Sequence, residues 1–335
     1  MLHIHNGDCS ADTAGKASLP GEHLAWRESL ITGPTPAGVS GDEWLNLRAR
    51  HLAEGYGADL QACEKDLLKQ QEVLQSFAQH DEVVLWFEHD LFCQLHLIYL
   101  LNWFATERAT AKIRLSLICV GEFPGKENFR GLGELSPAEL ASLFPGRGEV
   151  TDTQLRTAGS AWGAYSSPDP TAIEKLLDTD TSFLPFLDAT LRAHLRRFPA
   201  TTNGLGRVEN SALKLVRHGL GSFAEVFAKF GEKEPVYGFG DAQLWQALRG
   251  LSSTNQPLLT ITGIPDGQDS QALTPEIAQS ARLEITSLGE SVLDGEADFV
   301  TLNGIDLWLG GAYLHGGEGL WRWNEESGKL EFAQN

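Results

Sequence analysis

The chain has 335 residues and a formal net charge of −19, with 42% hydrophobic and 21% charged residues. That balance belongs to an ordinary globular protein with a sizeable core and room for two domains. The acidity argues against nucleic acid as a partner, because binding by counterion release needs clustered Lys and Arg.

Taken in chain order, residues 2–8 read as a strand that runs into the turn Asn6-Gly7-Asp8. Residues 10–19 form a short crossover helix ended by Pro20-Gly21, and residues 22–26 a second strand before the loop marked by Gly33-Pro34 and Pro36. A helix starts near Asp42, and Leu60, Cys63, Leu67, Leu74 and Phe77 mark one face of the next. Val83–Phe87 is a continuous apolar run, as in a strand covered on both faces. Asp90 is placed to cap a helix from Leu91 to about Phe104, and Leu115–Val120 is a fourth strand ending at Gly121-Glu122-Phe123-Pro124-Gly125. Alternating strands and helices predict a Rossmann-like α/β domain with a parallel sheet over residues 1–125.

Residues 126–182 read as a helical linker region that includes Ser-Pro-Asp-Pro at 167–170. Helices follow near 183–197, 209–218, 222–230 and 241–251, then a strand at Leu258–Thr262 and a strand leading into a helix at 282–294. The tail, Leu307–Phe332, alternates and turns at Glu326-Ser327-Gly328, a β-hairpin signal. Residues 183–335 are therefore expected to form a mostly helical, winged-helix-like domain with a terminal hairpin. Arg192, Arg196 and Arg197 in this region read as the solvated face of a helix.

No apolar run reaches the roughly 18 residues that cross a bilayer, and the first residues show no basic or apolar signal region. The four cysteines, Cys9, Cys63, Cys93 and Cys119, lack paired spacing and read as reduced thiols. No membrane association and a cytoplasmic location are expected.

In open parallel sheets, ligands bind beyond the carboxyl ends of the strands. Here each of the four ends delivers an acid: Asp8 after the first, Glu28 after the second, Glu88 and Asp90 after the third, and Glu122 after the fourth. Asp8, His89, Asp90 and Glu122 are the candidate catalytic residues. Asn6, Gly7, Arg27, Glu28, Glu88 and Gln94 are the candidate ligand contacts. Converging acids repel unless a cation, Arg27 or a retained proton compensates. Oxygen donors suit magnesium or manganese, with Asp8, Asp90 and Glu122 the candidate ligands. The plainer alternative is that strand ends are polar because they meet water, with Asp8 and Asp90 serving as helix caps. Neither a dinucleotide Gly-x-Gly-x-x-Gly fingerprint nor a P-loop is present.

Four stretches carry a family resemblance: His3-Ile-His-Asn-Gly-Asp8, Trp26-Arg-Glu-Ser-Leu30 running to Gly33-Pro34, Trp86-Phe-Glu-His-Asp-Leu-Phe92, and Gly121-Glu-Phe-Pro-Gly125. Together they resemble the bacterial domain of unknown function 1835 family over residues 1–125. Asn203-Gly-Leu-Gly-Arg-Val-Glu209, Phe239-Gly-Asp241 and Asp306-Leu-Trp-Leu-Gly-Gly311 resemble the winged-helix-like companion region of such proteins. The resemblance implies the domain layout and the strand-end motifs but no reaction, and Glu28 stands where that family often has Asp. The reading favoured at this stage is an enzyme of hydrolase or transferase type acting on a phosphate-bearing or nucleotide-like ligand. The alternative is a ligand-sensing or protein-interaction module with a protein partner.

Overall fold

The computed structural model describes residues 1–107, 113–265, 271–317 and 319–333. Its N-terminal part alternates β1 (Leu2–Asn6), α1 (Asp8–Lys16), β2 (Glu22–Trp26), α2 (Gly41–Tyr56), α3 (Leu60–Gln75), β3 (Glu82–Glu88), α4 (Leu91–Glu107) and β4 (Arg114–Val120). The strands pair in the order β2-β1-β3-β4, all parallel, and the short β5 (Gly148–Glu149) adds an antiparallel edge. The sheet grows outward in opposite directions from β1 and β3, which leaves a crevice at their carboxyl ends.

Local sequence explains the layers. Every residue of β3 is buried, as its unbroken apolar run requires when helices cover both faces. α4 is apolar on nearly every side, with Leu91, Leu95, Leu97, Ile98, Leu100, Leu101 and Phe104 at most 1% exposed. A helix apolar all round must be central, and α4 lies between the sheet and the helix Asp152–Tyr165.

Residues 126–182 supply α5 (Pro137–Leu143), α6 (Asp152–Tyr165) and α7 (Thr171–Leu177). α5 and α6 open with reciprocal capping boxes, Ser136 with Glu139 and Thr151 with Gln154, which the Ser/Thr-x-x-Glu/Gln spacing encodes. Leu155, Ala158, Ala161 and Tyr165 of α6 belong to the same buried cluster as β1, β3 and α4, so the core continues through this segment without a break.

The C-terminal part holds α8 (Leu187–Leu195), α9 (Arg207–Arg217), α10 (Phe223–Lys233) and α11 (Asp241–Ser252). It continues with β6 (Leu259–Thr262), α12 (Pro275–Ser280), β7 (Arg282–Ile285), α13 (Ser287–Leu293) and α14 (Phe299–Asn303). The tail folds into two antiparallel ribbons, β8 (Ile305–Leu309) with β9 (Ala312–Gly316) and β10 (Leu320–Asn324) with β11 (Lys329–Ala333). The second reverses where Glu326-Ser327-Gly328 predicts. The first was not anticipated, and its turn is Gly310-Gly311. Gly310 has φ 68°, and the Gly311 N–H donates to the Tyr165 carbonyl at 2.9 Å. A side chain at either glycine would collide with the Tyr165 or Ser166 backbone, so close approach to the end of α6 explains the pair.

The molecule is thus a mixed α/β protein built on a five-stranded, mostly parallel sheet. Among the described residues, no helix is long and apolar enough to cross a membrane.

Candidate functional site

The carboxyl edge of the sheet gathers three kinds of acid. The first is exposed. Gly7, at φ 89°, turns β1 into α1, which begins at Asp8 with no side-chain cap. Arg27 donates to Asp8 through Nε at 2.8 Å and Nη2 at 2.6 Å, and its Nη1 reaches Asp66 at 3.1 Å. The Arg27 guanidinium holds the Asp8 carboxyl below the usual range. Glu122 is exposed too, beyond the end of β4.

The second kind is buried and paired. Glu28 accepts from Arg48 Nη2 at 2.8 Å, Arg48 Nε at 3.2 Å and the Ser29 N–H at 2.7 Å. Arg48, fully buried, also donates to the carbonyls of Ser29, Thr32 and Pro34 at 2.8 to 3.0 Å. Burial pushes the Glu28 carboxyl up, but Arg48 outweighs it and holds the group below its ordinary value. Glu28 therefore serves as the anchor of the loop after β2.

The third kind is buried with no cation in contact. Glu88 ends β3, and its Oε2 accepts from the Cys93 thiol at 2.6 Å while Oε1 accepts the Leu132 N–H at 2.5 Å. Asp90, 5% exposed, accepts the Cys93 N–H on Oδ1 at 2.9 Å and so caps α4 as its position predicts. Burial and the neighbouring Asp90 push the Glu88 carboxyl up to about 7. Burial raises Asp90 as well, and it raises the Cys93 thiol, with both carboxylates adding to the effect. Two glycines make room for these acids. A Cβ on Gly131 would sit 2.7 Å from Glu88 Oε1, and one on Gly238 would overlap the Asp90 carboxylate.

The remaining predicted contacts frame this pair. Asn6 donates through Nδ2 to Cys93 Sγ at 2.6 Å and accepts from His96 Nδ1 at 2.7 Å. His96 Nε2 accepts the Leu30 N–H at 3.3 Å, so the ring is neutral, and burial lowers its pKa to about 3. Gln94 donates to the Glu88 carbonyl at 2.7 Å and to Cys119 Sγ at 3.3 Å. His89 is half-buried, edge-on to Phe186, and its buried Nδ1 has no hydrogen-bond partner.

Asn6, Glu88, Asp90 and Gln94 therefore come together, whereas Asp8, Arg27 and Glu122 lie on the solvent side and Glu28 is committed to Arg48. Sequence reasoning missed Cys93 and His96, reading the cysteine only as a reduced thiol. The signal was the spacing: Cys93 is three residues past the cap Asp90, which turns its side chain back toward the strand end. The Gly131–Leu132 turn, far away in sequence, left no signal.

Among the described residues, two groups of side chains present metal-binding donors within 4.8 Å of one another: Glu88 with Asp90 and Cys93, and His3 with His5 and His23. The histidines, on β1 and β2, have their own hydrogen-bond chain. His3 Nδ1 accepts from the Trp86 indole at 3.0 Å, and His3 Nε2 donates to the Pro20 carbonyl at 3.1 Å. His23 Nε2 donates to the Leu19 carbonyl at 3.2 Å, which leaves its Nδ1 to accept from His5 at 3.1 Å. Burial lowers the pKa of His3 and of His5, and His5 Nδ1 has no hydrogen-bond partner. The acid group is different, since both its carboxylates carry a burial cost that a cation would relieve. Its thiol suits zinc or manganese better than magnesium.

No family model matches the chain, and no curated protein is significantly similar to it. The chemistry of the site is read from its geometry.

Proposed function

We propose that the chain is an enzyme, of hydrolase or transferase type, acting on a small phosphate-bearing or nucleotide-like ligand at the carboxyl edge of the sheet. The observation that carries this reading is Glu88, a buried carboxyl with a pKa of about 7 at the β1–β3 crevice. The order β2-β1-β3-β4 suits a doubly wound, Rossmann-like sheet, in which that crevice is the usual ligand position.

In this reading Glu88 is the acid–base group. Asp90 beside it keeps one proton on the pair at neutral pH, where proton transfer is most effective. The amides that open α1 after Gly7, with Arg27 alongside, offer the positive end of a helix to a phosphate. Asn6 fixes Cys93 and His96 beneath the acid. Ligand reaches Glu88 when the Gly131–Leu132 turn lifts and its N–H leaves the carboxylate. A divalent cation held by Glu88, Asp90 and Cys93 would neutralise the pair and draw phosphate oxygens to the same edge.

The test is a thermal-shift screen of the native chain against nucleotides and sugar phosphates, with and without magnesium, manganese and zinc. Ligand at about a hundred times its dissociation constant adds about 2.7 kcal/mol. A ligand-dependent shift that disappears in both Glu88→Gln and Asp90→Asn is expected. The absence of any shift across the panel would remove this reading.

A further inference from the structure

We propose that the chain carries a second small-molecule site, separate from the sheet edge, that binds an organic carboxylate with a flat apolar body.

A cavity of about 680 Å³ opens between the loop after β2, the start of α9, one face of α11 and strand β8. That volume lies within the range of ordinary ligand pockets. The α11 wall is built by Gln243, Gln246, Ala247, Gly250 and Leu251, whose three- and four-residue spacing brings them onto a single helix face.

Arg197 lines this cavity, is 7% exposed, and its Nη1 has no hydrogen-bond partner. A buried donor without an acceptor is costly, and a guanidinium cannot escape the cost by losing its proton. Glu209, also in the lining, makes no ion pair with Arg197, and burial pushes its carboxyl up despite that charge. The hydroxyl of Thr254, which follows α11 and also lines the cavity, is a second buried polar group without a partner. A charged donor and a hydroxyl are the kinds of partner that a carboxylate takes.

The rest of the lining fixes the body of the ligand. Phe239 lies beside Arg197, with the guanidinium carbon 5.7 Å from its ring centre, and Trp308 adds a second aromatic ring to the lining. Flat rings between aromatic walls stack favourably. Asp306 and Glu209 also line the cavity and would repel the multiple charge of a phosphate, so a single carboxylate fits better. This site stands independently of the reading given to Glu88.

The experiment titrates the full chain with benzoate, phenylacetate and indole-3-acetate, each beside its uncharged primary amide, by calorimetry and by tryptophan fluorescence. At least one carboxylate should bind saturably and about tenfold tighter than its amide. Arg197→Gln should erase that preference while leaving amide binding little changed. Gly250→Leu gives a control that keeps the fold. A Cβ there meets nothing within 4 Å, and replacing a helical glycine favours the helix, while the new side chain fills the cavity. Binding should vanish in that variant with no loss of thermal stability. The proposal is overturned by failure of every carboxylate to bind at millimolar concentration, by equal affinity for acid and amide, or by binding that survives Gly250→Leu.

Discussion

Glu28 and Glu88 stand at the carboxyl ends of β2 and β3, the two neighbours of β1, and both are buried. Their fates differ because of what lies beside them. Glu28 meets a guanidinium whose remaining donors are taken up by three loop carbonyls, so its charge has become structure. Glu88 meets a second carboxyl and a thiol, so its charge is unresolved until a proton, a cation or a ligand arrives. A strand-end acid is therefore only raw material for a site, and the countercharge decides whether it becomes scaffold or chemistry.

The sharpest way to break the comparison is to remove the countercharge. Arg48→Met leaves Glu28 buried and alone and frees three carbonyls, so it should cost about 3–5 kcal/mol in urea unfolding. A loss under about 1 kcal/mol would mean that Glu28 does not depend on its partner.

Glu88→Gln probes the other side. The folded-state pKa of Glu88 is about 7 against an ordinary 4.5. A carboxyl raised in the folded state has its stability fully present below about 4.5, and loses it as pH rises through about 7. The size of that loss is about 3 kcal/mol at 1.36 kcal/mol per pKa unit. The native chain should therefore lose stability relative to Glu88→Gln between those pH values, as read by paired denaturation curves. Parallel curves would show that Glu88 titrates normally.

The smallest effect belongs to the third arrangement at this edge. The Asp8 and Arg27 side chains are 52% and 49% exposed, and exposed ion pairs contribute little. Arg27→Ala should cost no more than about 1 kcal/mol, and salt should shrink even that. A cost near that of Arg48→Met would erase the distinction between rim and interior.

Much of the frame was legible because periodicity is local information. The four parallel strands, the cap at Asp90 and the C-terminal helices follow from apolar runs and from Gly and Pro punctuation. The grouping of Asn6, Glu88, Asp90 and Gln94 followed from the rule about strand ends. Partner identity was not legible. Nothing near Glu28 names Arg48 as its counterion, because the pair forms across 20 residues. The turn that covers Glu88 lies 44 residues further on, and the β8–β9 ribbon is explained by a contact with α6 that no sequence window spans. The cavity beside Arg197 was invisible for the same reason, with walls drawn from widely separated stretches of chain.

The histidine chain on β1 and β2 has a consequence for the surroundings this fold tolerates. Burial lowers the pKa of His3 to about 4 and of His5 to about 2, while free imidazoles take up protons near 6.5. Above that value the stacked rings cost nothing in protonation. Below it the unfolded chain gains protons that the native sheet refuses, so stability drains as pH falls. Acidity would thus act on this protein at its opening strand among other places, where protonating His3 Nδ1 must break the hydrogen bond it accepts from the Trp86 indole. The fold is set for neutral surroundings by the same strand that carries Asn6 to the candidate site.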